Sequence, residues 1–141
     1  LFQKFCWFKI FFFVNLIITR TKEDKVILGL DINVEEIDSI IILRLLGRID
    51  ASSSSLLQNK LGVLFDEGRK VVLLDFSNID YLSSAGIRVL LTFTQKYKEK
   101  KGRLGVFSLT EDVLDIIKVT GFNKILNIYK NEKEALVEKN L

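Results

Sequence analysis

The sequence predicts a single α/β domain in which strands alternate with helices, a pattern typical of a mostly parallel sheet covered by helices. Short apolar runs of strand length, such as residues 71–74 and 104–107, alternate with longer segments whose apolar residues recur every three or four positions. The chain of 141 residues, 48% of them hydrophobic, also has the size and composition of one domain with a buried core. We expect four to five strands in a mixed, mostly parallel sheet and about four helices, in the order β-β-α-β-α-β-α-β-α.

Two strands open the predicted domain. Residues 27–34 alternate loosely between apolar and polar side chains, as an edge strand does, and the polar residues 35–38 predict a turn. Residues 39–46 form a near-continuous apolar run interrupted by Arg44, which is typical of a central strand. We expect this second strand to close at residues 47–50.

The first helix is predicted to begin in a run of four serines, Ser52–Ser55. Apolar residues recur at helical spacing between positions 57 and 65, and Gly68 stands where a C-terminal cap belongs. A serine run can also form a flexible linker, but the apolar pattern that follows this one favours a helix start, at which one serine serves as the cap.

The middle of the chain predicts a strand, a loop and a long helix. Val71–Leu74 is an apolar run suited to a buried strand, and a polar loop from Asp75 follows it. Ser83 and Ser84 stand immediately before an amphipathic pattern that predicts a helix to about Lys101. Lysines near the end of this helix suit the negative end of its dipole, and the next glycine is a stop signal.

Cap residues mark the remaining elements. The sequence predicts a strand at Leu104–Phe107, a helix between the N-cap Thr110 and the terminator Gly121, a strand at Ile125–Tyr129, and a final helix from Asn131 to about Asn140.

Composition excludes several classes of catalytic site. The chain has no histidine, which removes Ser–His–Asp catalysis and nearly all zinc chemistry. Its one cysteine, Cys6, can form neither a disulfide framework nor a cysteine metal site. The window Leu82–Gly86 lacks the first glycine of a serine-hydrolase nucleophile elbow. We therefore predict no catalytic residue and no cofactor.

An aspartyl-phosphate site at Asp75 is a further alternative. Such a site requires Mg²⁺ held by additional carboxylates, and the sequence offers only Asp50 and Asp80, without a paired acidic dipeptide after the first strand. We favour a structural role for Asp75, as a loop-entry residue that accepts backbone N–H bonds. No metal site is predicted.

Charge separates the N-terminal segment from the remainder. Residues 1–25 carry five basic and two acidic side chains, whereas residues 26–141 carry 16 of each. A neutral domain argues against a nucleic-acid partner. The apolar, basic segment 1–25 is short and interrupted for a membrane span, so we expect an extension that is either an interfacial membrane anchor or a non-native segment. Residues 26–141 are then the domain.

The serines at the predicted helix start suggest a phosphate. The first N–H groups of a helix and the positive end of its dipole favour negative charge. One of Ser83 and Ser84 can cap the helix while the other accepts a phosphoryl group, or both can serve only as caps. The residues alone leave these alternatives open.

Three segments resemble the STAS domains of bacterial anti-sigma factor antagonists. These segments are residues 71–91, which include the sequence Asp-Tyr-Leu-Ser-Ser-Ala-Gly, the residues Leu46–Asp50, and the residues Val119–Ile125; the resemblance covers about residues 26–138. It implies a STAS-like fold and a cytoplasmic binding module that is not an enzyme. It implies that the protein binds an anti-sigma factor serine kinase, that phosphorylation switches it off, and that a PP2C-type phosphatase restores it.

The resemblance also places the functional residues. The phosphoacceptor falls on Ser84, with Ser83 as the second choice; Ser83 stands where the family often has aspartate, and Ala85 replaces a frequent second serine. The implied partner-binding residues are Asp50, Ser83, Ser84, Gly86 and Ile87. The resemblance also implies an alternative function, because other STAS domains are accessory or regulatory subunits of membrane lipid or anion transporters.

Overall fold

The structure is a computed structural model that describes residues 29–137. In this part of the chain five strands and four α-helices follow the predicted order. They are β1 (Leu30–Ile37), β2 (Ile40–Ile49), α1 (Ser54–Asp66), β3 (Val71–Leu82), α2 (Ser84–Glu99), β4 (Arg103–Phe107), α3 (Glu111–Thr120), β5 (Asn127–Tyr129) and α4 (Glu132–Val137), with a 3-10 turn at Phe122–Lys124. The extension 1–25 and the predicted end of the last helix at Asn140 lie outside the described residues.

One mixed sheet organises the domain. Its strand order is β1-β2-β3-β4-β5, with β1 antiparallel to β2 and the other neighbouring pairs parallel. Strands β2, β3 and β4 therefore end at the same edge, at Ile49, Leu82 and Phe107. We call this the carboxyl edge. The predicted fold class, a mostly parallel sheet covered by four helices, is confirmed.

The β1–β2 hairpin differs from its prediction. Residues 35–38 were expected to form the turn, but β1 continues to Ile37 and the turn consists of Asp38 and Ser39. Both residues have positive φ, 49° and 73°, as a two-residue hairpin turn of the I′ type requires. The acidic side chains at 35 and 36 are compatible with a strand because this strand lies at the sheet edge, where both are exposed.

Strand β3 is longer than predicted. The sequence indicated a loop from Asp75 onward, whereas the strand continues to Leu82. Along this second half β2 is the only strand within residues 29–137 that pairs with β3, because the pairing with β4 ends at Asp75. Phe76, Ile79 and Leu82 are buried in the core, and the polar side chains between them lie at the surface.

The two faces of the sheet are covered unequally. The main core lies between one face and helices α1, α2 and α3, and includes Leu43, Leu57, Leu74, Leu90 and Val113, each 0% exposed. A smaller cluster on the other face joins Ile42, Leu73 and Phe107 to Ala135 of α4. No helix within residues 29–137 has the length and apolar character needed to cross a membrane.

The C-terminal ends of α1, α2 and α3 follow the predicted glycine stops with one exception. Gly68 and Gly121 both have φ of +82°, the left-handed conformation of a helix stop. At the end of α2, however, Lys101 takes the positive φ of 61° that was expected of the following glycine. Gly102 serves close packing instead, since a Cβ there would lie 2.5 Å from the carbonyl oxygen of Lys70.

Candidate functional site

The sheet register brings the predicted site residues to one place on the carboxyl edge. Ile49 at the end of β2 is paired with Leu82 at the end of β3. The Ser83 backbone N–H then donates a 2.8 Å hydrogen bond to the Ile49 carbonyl. The loop that carries Asp50 and the first turn of α2 therefore lie side by side.

The two serines have different roles at the start of α2. Ser83 is the N-cap: its hydroxyl accepts a 3.1 Å hydrogen bond from the Gly86 N–H, and its carbonyl accepts one from Ile87. Ser84 is the first helical residue and is exposed. Its hydroxyl makes no hydrogen bond to any residue in the range 29–137. The structure thus has one capping serine and one unengaged serine, rather than two caps.

Gly86 and Ile87 lie beneath the surface. A Cβ at Gly86 would lie 2.6 Å from Ile49 Cγ2 and 2.7 Å from Leu82 Cδ1, so only glycine lets α2 start this close to the strand ends. Ile87 is 3% exposed and belongs to the main core. Both residues support the position of Ser83 and Ser84 from below, and a direct contact with a partner stays a prediction.

Asp50 is fixed by its own loop. Its carboxylate accepts hydrogen bonds from the Ser53 N–H at 2.9 Å and from the N–H and hydroxyl of Ser52 at 3.0 and 2.9 Å. These bonds, that from the Ser53 backbone first, lower the pKa of Asp50 to about 2. The carboxylate is therefore ionised at neutral pH and held at the carboxyl edge.

The serine run marks the helix start as predicted, but its side chains do not cap the helix. Helix α1 begins at Ser54, and the Ser53 hydroxyl, which accepts from the Asp50 N–H, donates to the Arg48 carbonyl at 2.8 Å. The Ser54 and Ser55 hydroxyls donate to carbonyls three residues back. The backbone N–H groups of Ser52 and Ser53 in this turn donate to the Asp50 carboxylate instead.

A shallow groove lies between α1 and α2. Ser54 and Gln58 line it from α1, and Ala85, which follows the exposed Ser84, lines it from α2 together with Arg88 and Thr92. Neither Arg88 nor Gln58 belongs to a motif identified in the sequence. The signal that could have found Arg88 is its spacing of four residues from Ser84, which places both on one face of a helix.

Asp75 has a structural role, as favoured from the sequence, although it lies within β3 rather than at a loop entry. It accepts hydrogen bonds from the Ser77 N–H and hydroxyl at 3.0 and 2.7 Å, and it pairs with Arg44 at 3.1 Å. Arg44 also binds Glu132 and Glu35, and these contacts, that with Glu132 first, raise the pKa of its guanidinium. This network attaches α4 to the sheet.

The arrangement is that of an α/β domain with a serine exposed at the carboxyl edge, and comparisons with known proteins assign its family. The STAS domain family model matches residues 31–135, so this chain belongs to the STAS domain family. BtrV of Bordetella bronchiseptica, named as an anti-sigma factor antagonist, is 30% identical over 104 residues, which are 74% of this chain and 89% of that protein. Its name describes a regulator rather than an enzyme, in agreement with the sequence.

Solved structures confirm the fold. The crystal structure of an anti-sigma factor antagonist from Mycobacterium paratuberculosis is similar with a TM-score of 0.70 at 23% identity, over 77% of this chain and 92% of that one. SpoIIAA of Bacillus, at 16% identity, is similar in its unphosphorylated form (TM-score 0.61, 76% of this chain and 94% of that one) and in its phosphorylated form (0.60, 75% and 96%).

Proposed function

We propose that this protein is an anti-sigma factor antagonist that binds an anti-sigma factor with serine kinase activity and is switched off by phosphorylation of Ser84. The observation that carries the proposal is that the two serines at the start of α2 have different roles. Ser83 satisfies the helix N-terminus, and the neighbouring Ser84 hydroxyl is exposed and unengaged among the described residues. The Ser84 hydroxyl can therefore act as the attacking group in the active site of a separate kinase without any rearrangement of this fold.

The position of Ser84 suits a phosphorylated state. Phosphorylation adds about 1.5 to 2 negative charges at neutral pH, and the N-terminal turn of a helix favours negative charge. Helix α2 has no acidic residue in its first turn to oppose that charge. The similar TM-scores for SpoIIAA with and without phosphate support a fold that accommodates the modification. We therefore expect phosphorylation to leave this domain folded.

Phosphorylation of Ser84 acts on the complex with the anti-sigma factor rather than on the fold of the domain. In the unmodified protein the carboxyl edge offers a neutral hydroxyl at Ser84 next to the loop of the ionised Asp50. A partner surface fitted to this pattern meets a bulky dianion after phosphorylation, and Asp50 adds negative charge at the same edge. Like charges and uncompensated desolvation at an interface cost several kcal/mol in general. The partner is thereby released.

Phosphate mapping tests the assignment. The full chain is incubated with its cognate anti-sigma factor kinase and ATP, and the modified residue is identified by mass spectrometry in the wild type and in the matched variants Ser84→Ala and Ser83→Ala. We expect phosphate on Ser84, loss of labelling in Ser84→Ala, and removal of the phosphate by a PP2C-type phosphatase. Phosphate on Ser83 or within Ser52–Ser55 would overturn the assignment.

Binding variants test the consequence. Ser84→Asp places a negative charge at the site and is expected to weaken binding of the anti-sigma factor, whereas Ser84→Ala keeps a small neutral side chain and is expected to retain it. The Asn59→Asp variant adds the same charge at an exposed position on α1 and separates a local effect from one of net charge. Equal loss in Ser84→Asp and Asn59→Asp would contradict a specific role for Ser84.

A further inference from the structure

Arg88 is a cation at the carboxyl edge for which the described residues provide no counter-charge. It is exposed, and it has no ion pair, hydrogen bond or ring contact within residues 29–137. The other arginines in this range are engaged: Arg44 and Arg69 with carboxylates, Arg48 over the ring of Tyr81, and Arg103 with the Tyr129 hydroxyl and the Ala135 carbonyl. Arg88 therefore differs from the others in lacking a structural explanation.

Helix geometry places Arg88 on the same face of α2 as Ser84, one turn further along. The two residues are four apart in α2, with Ser84 the first helical residue and Arg88 one turn further. Side chains at this spacing are neighbours, and long helical side chains point back toward the N-terminus. The positions three and four residues on either side of Arg88 are serine, alanine, leucine and threonine, none of which is acidic.

The helix dipole does not account for a cation at this position. Negative charge is favoured in the first turn of a helix and positive charge in the last, and Lys96 and Lys98 follow this preference in the last turn of α2. Arg88, the fifth residue of α2, lies outside both of these turns and one turn from the proposed phosphate.

We infer that Arg88 binds the phosphate of phosphorylated Ser84 within the same helix, and so makes the phosphorylated state a stabilised form of the domain. This inference rests on the proposed function only for the location of the phosphate. The guanidinium fork matches two phosphate oxygens and carries its charge at every physiological pH, so an arginine one turn away holds the group more specifically than a lysine would. Ser54 and Gln58 across the groove are neutral and do not compete for the arginine.

The experiment installs phosphoserine at position 84 during translation, so that no kinase is needed. Melting temperatures of the phosphorylated and unmodified full chain are compared in the wild type, in Arg88→Gln, and in the control Lys98→Gln, which removes an exposed cation from the far end of the same helix. We expect phosphorylation to raise the melting temperature by about 2–4 °C in the wild type and in Lys98→Gln, and by less than half as much in Arg88→Gln. Equal increases in all three proteins would overturn the inference.

A second readout distinguishes a direct contact from a general effect on stability. The second pKa of a phosphoserine, ordinarily about 6, is measured by ³¹P NMR titration of the same proteins. A guanidinium bound to the phosphate favours the dianion, so this pKa should rise in Arg88→Gln and return toward the wild-type value in Arg88→Lys. An unchanged pKa in Arg88→Gln refutes the contact. Since the phosphate is installed directly, these results stand apart from whether a kinase selects Ser84.

Discussion

Replacing Gly86 with alanine adds one methyl group where the first turn of α2 packs against the ends of β2 and β3. The new carbon would lie 2.6 Å from Ile49 Cγ2 and 2.7 Å from Leu82 Cδ1, well inside ordinary van der Waals distance. Both neighbours are almost fully buried, at 0% and 1% exposure, so neither can rotate into solvent. Overpacking costs about 1–3 kcal/mol, and alanine recovers up to about 1 kcal/mol of helix propensity. We expect a net loss of about 1–2 kcal/mol in the free energy of unfolding.

Gly62 in α1 provides the matched control. A Cβ there has a single neighbour within reach, Phe93 Cζ at 4.0 Å, which is ordinary contact. Gly62→Ala therefore gains helix propensity without overpacking and should stabilise the domain by about 0.5–1 kcal/mol. Urea unfolding followed by circular dichroism measures both variants, and Gly86→Ala should lower the midpoint by about 0.5–1 M without changing the slope. If both variants shift the midpoint in the same direction, the packing argument for Gly86 is refuted.

Three other substitutions test local features. The buried Tyr97 hydroxyl has no hydrogen-bond partner among the described residues, so Tyr97→Phe should leave the stability unchanged or raise it by up to about 1 kcal/mol in thermal melts. Burial raises the pKa of Tyr97 to about 12, so the unfolded state ionises first and wild-type stability should fall between pH 10 and 12 more steeply than that of Tyr97→Phe. The lowered pKa of Asp50 contributes stability that is present above about pH 4 and lost as the pH falls through about 2, so Asp50→Asn should be less stable than wild type at pH 7, and this difference should shrink as the pH falls from about 4 to about 2; a constant difference across that range would count against the hydrogen-bonded carboxylate. Lys101→Gly relieves a positive φ of 61° and should stabilise the end of α2 by about 0.5–1 kcal/mol, and a destabilised variant would show that the lysine side chain matters more than its backbone conformation.

Periodicity and caps were sufficient to predict the element order. Apolar spacing located α1 and α2, and cap residues located α3 and α4, with Thr110 and Gly121 marking the ends of α3. The sequence did not predict the second half of β3, because only one face of this part of the strand is buried. Beyond Asp75 this strand pairs only with β2 among the strands that the structure describes, so its polar residues lie at the surface and resemble a loop in the sequence.

Hydrogen-bond partners were harder to predict than elements. The four consecutive serines offered several equivalent candidates for the helix cap. The hydrogen bonds that actually form depend on the tight turn after β2, in which the N–H groups of Ser52 and Ser53 donate to the Asp50 carboxylate. The hydrogen bonds of Ser83 and Ser84 were equally hard to predict, since the sequence alone left open whether one or both of these serines cap the helix. Only the backbone geometry at Ser83, with an extended ψ of 170°, decides that this serine is the cap.

The structure brings the predicted site residues together at one edge, and their role in partner binding and phosphorylation stays a prediction. Parallel strands bring Asp50 and the serines to one edge, which the element order already implied. The burial of Gly86 and Ile87 could not be inferred, because a helix start next to a buried strand end can present its first turn either to solvent or to the core. Arg88 was overlooked because a single exposed cation in an amphipathic helix is ordinarily a solvated side chain.

The affinity of the anti-sigma factor kinase for this protein with and without phosphoserine at position 84 tests the central claim most directly. Titration calorimetry on the full chain gives both dissociation constants under the same conditions. A like-charge penalty of about 3 kcal/mol at the interface corresponds to about a 100-fold weaker complex, and we expect at least that loss for the phosphorylated protein. Equal affinities for the two forms would contradict a switch at Ser84.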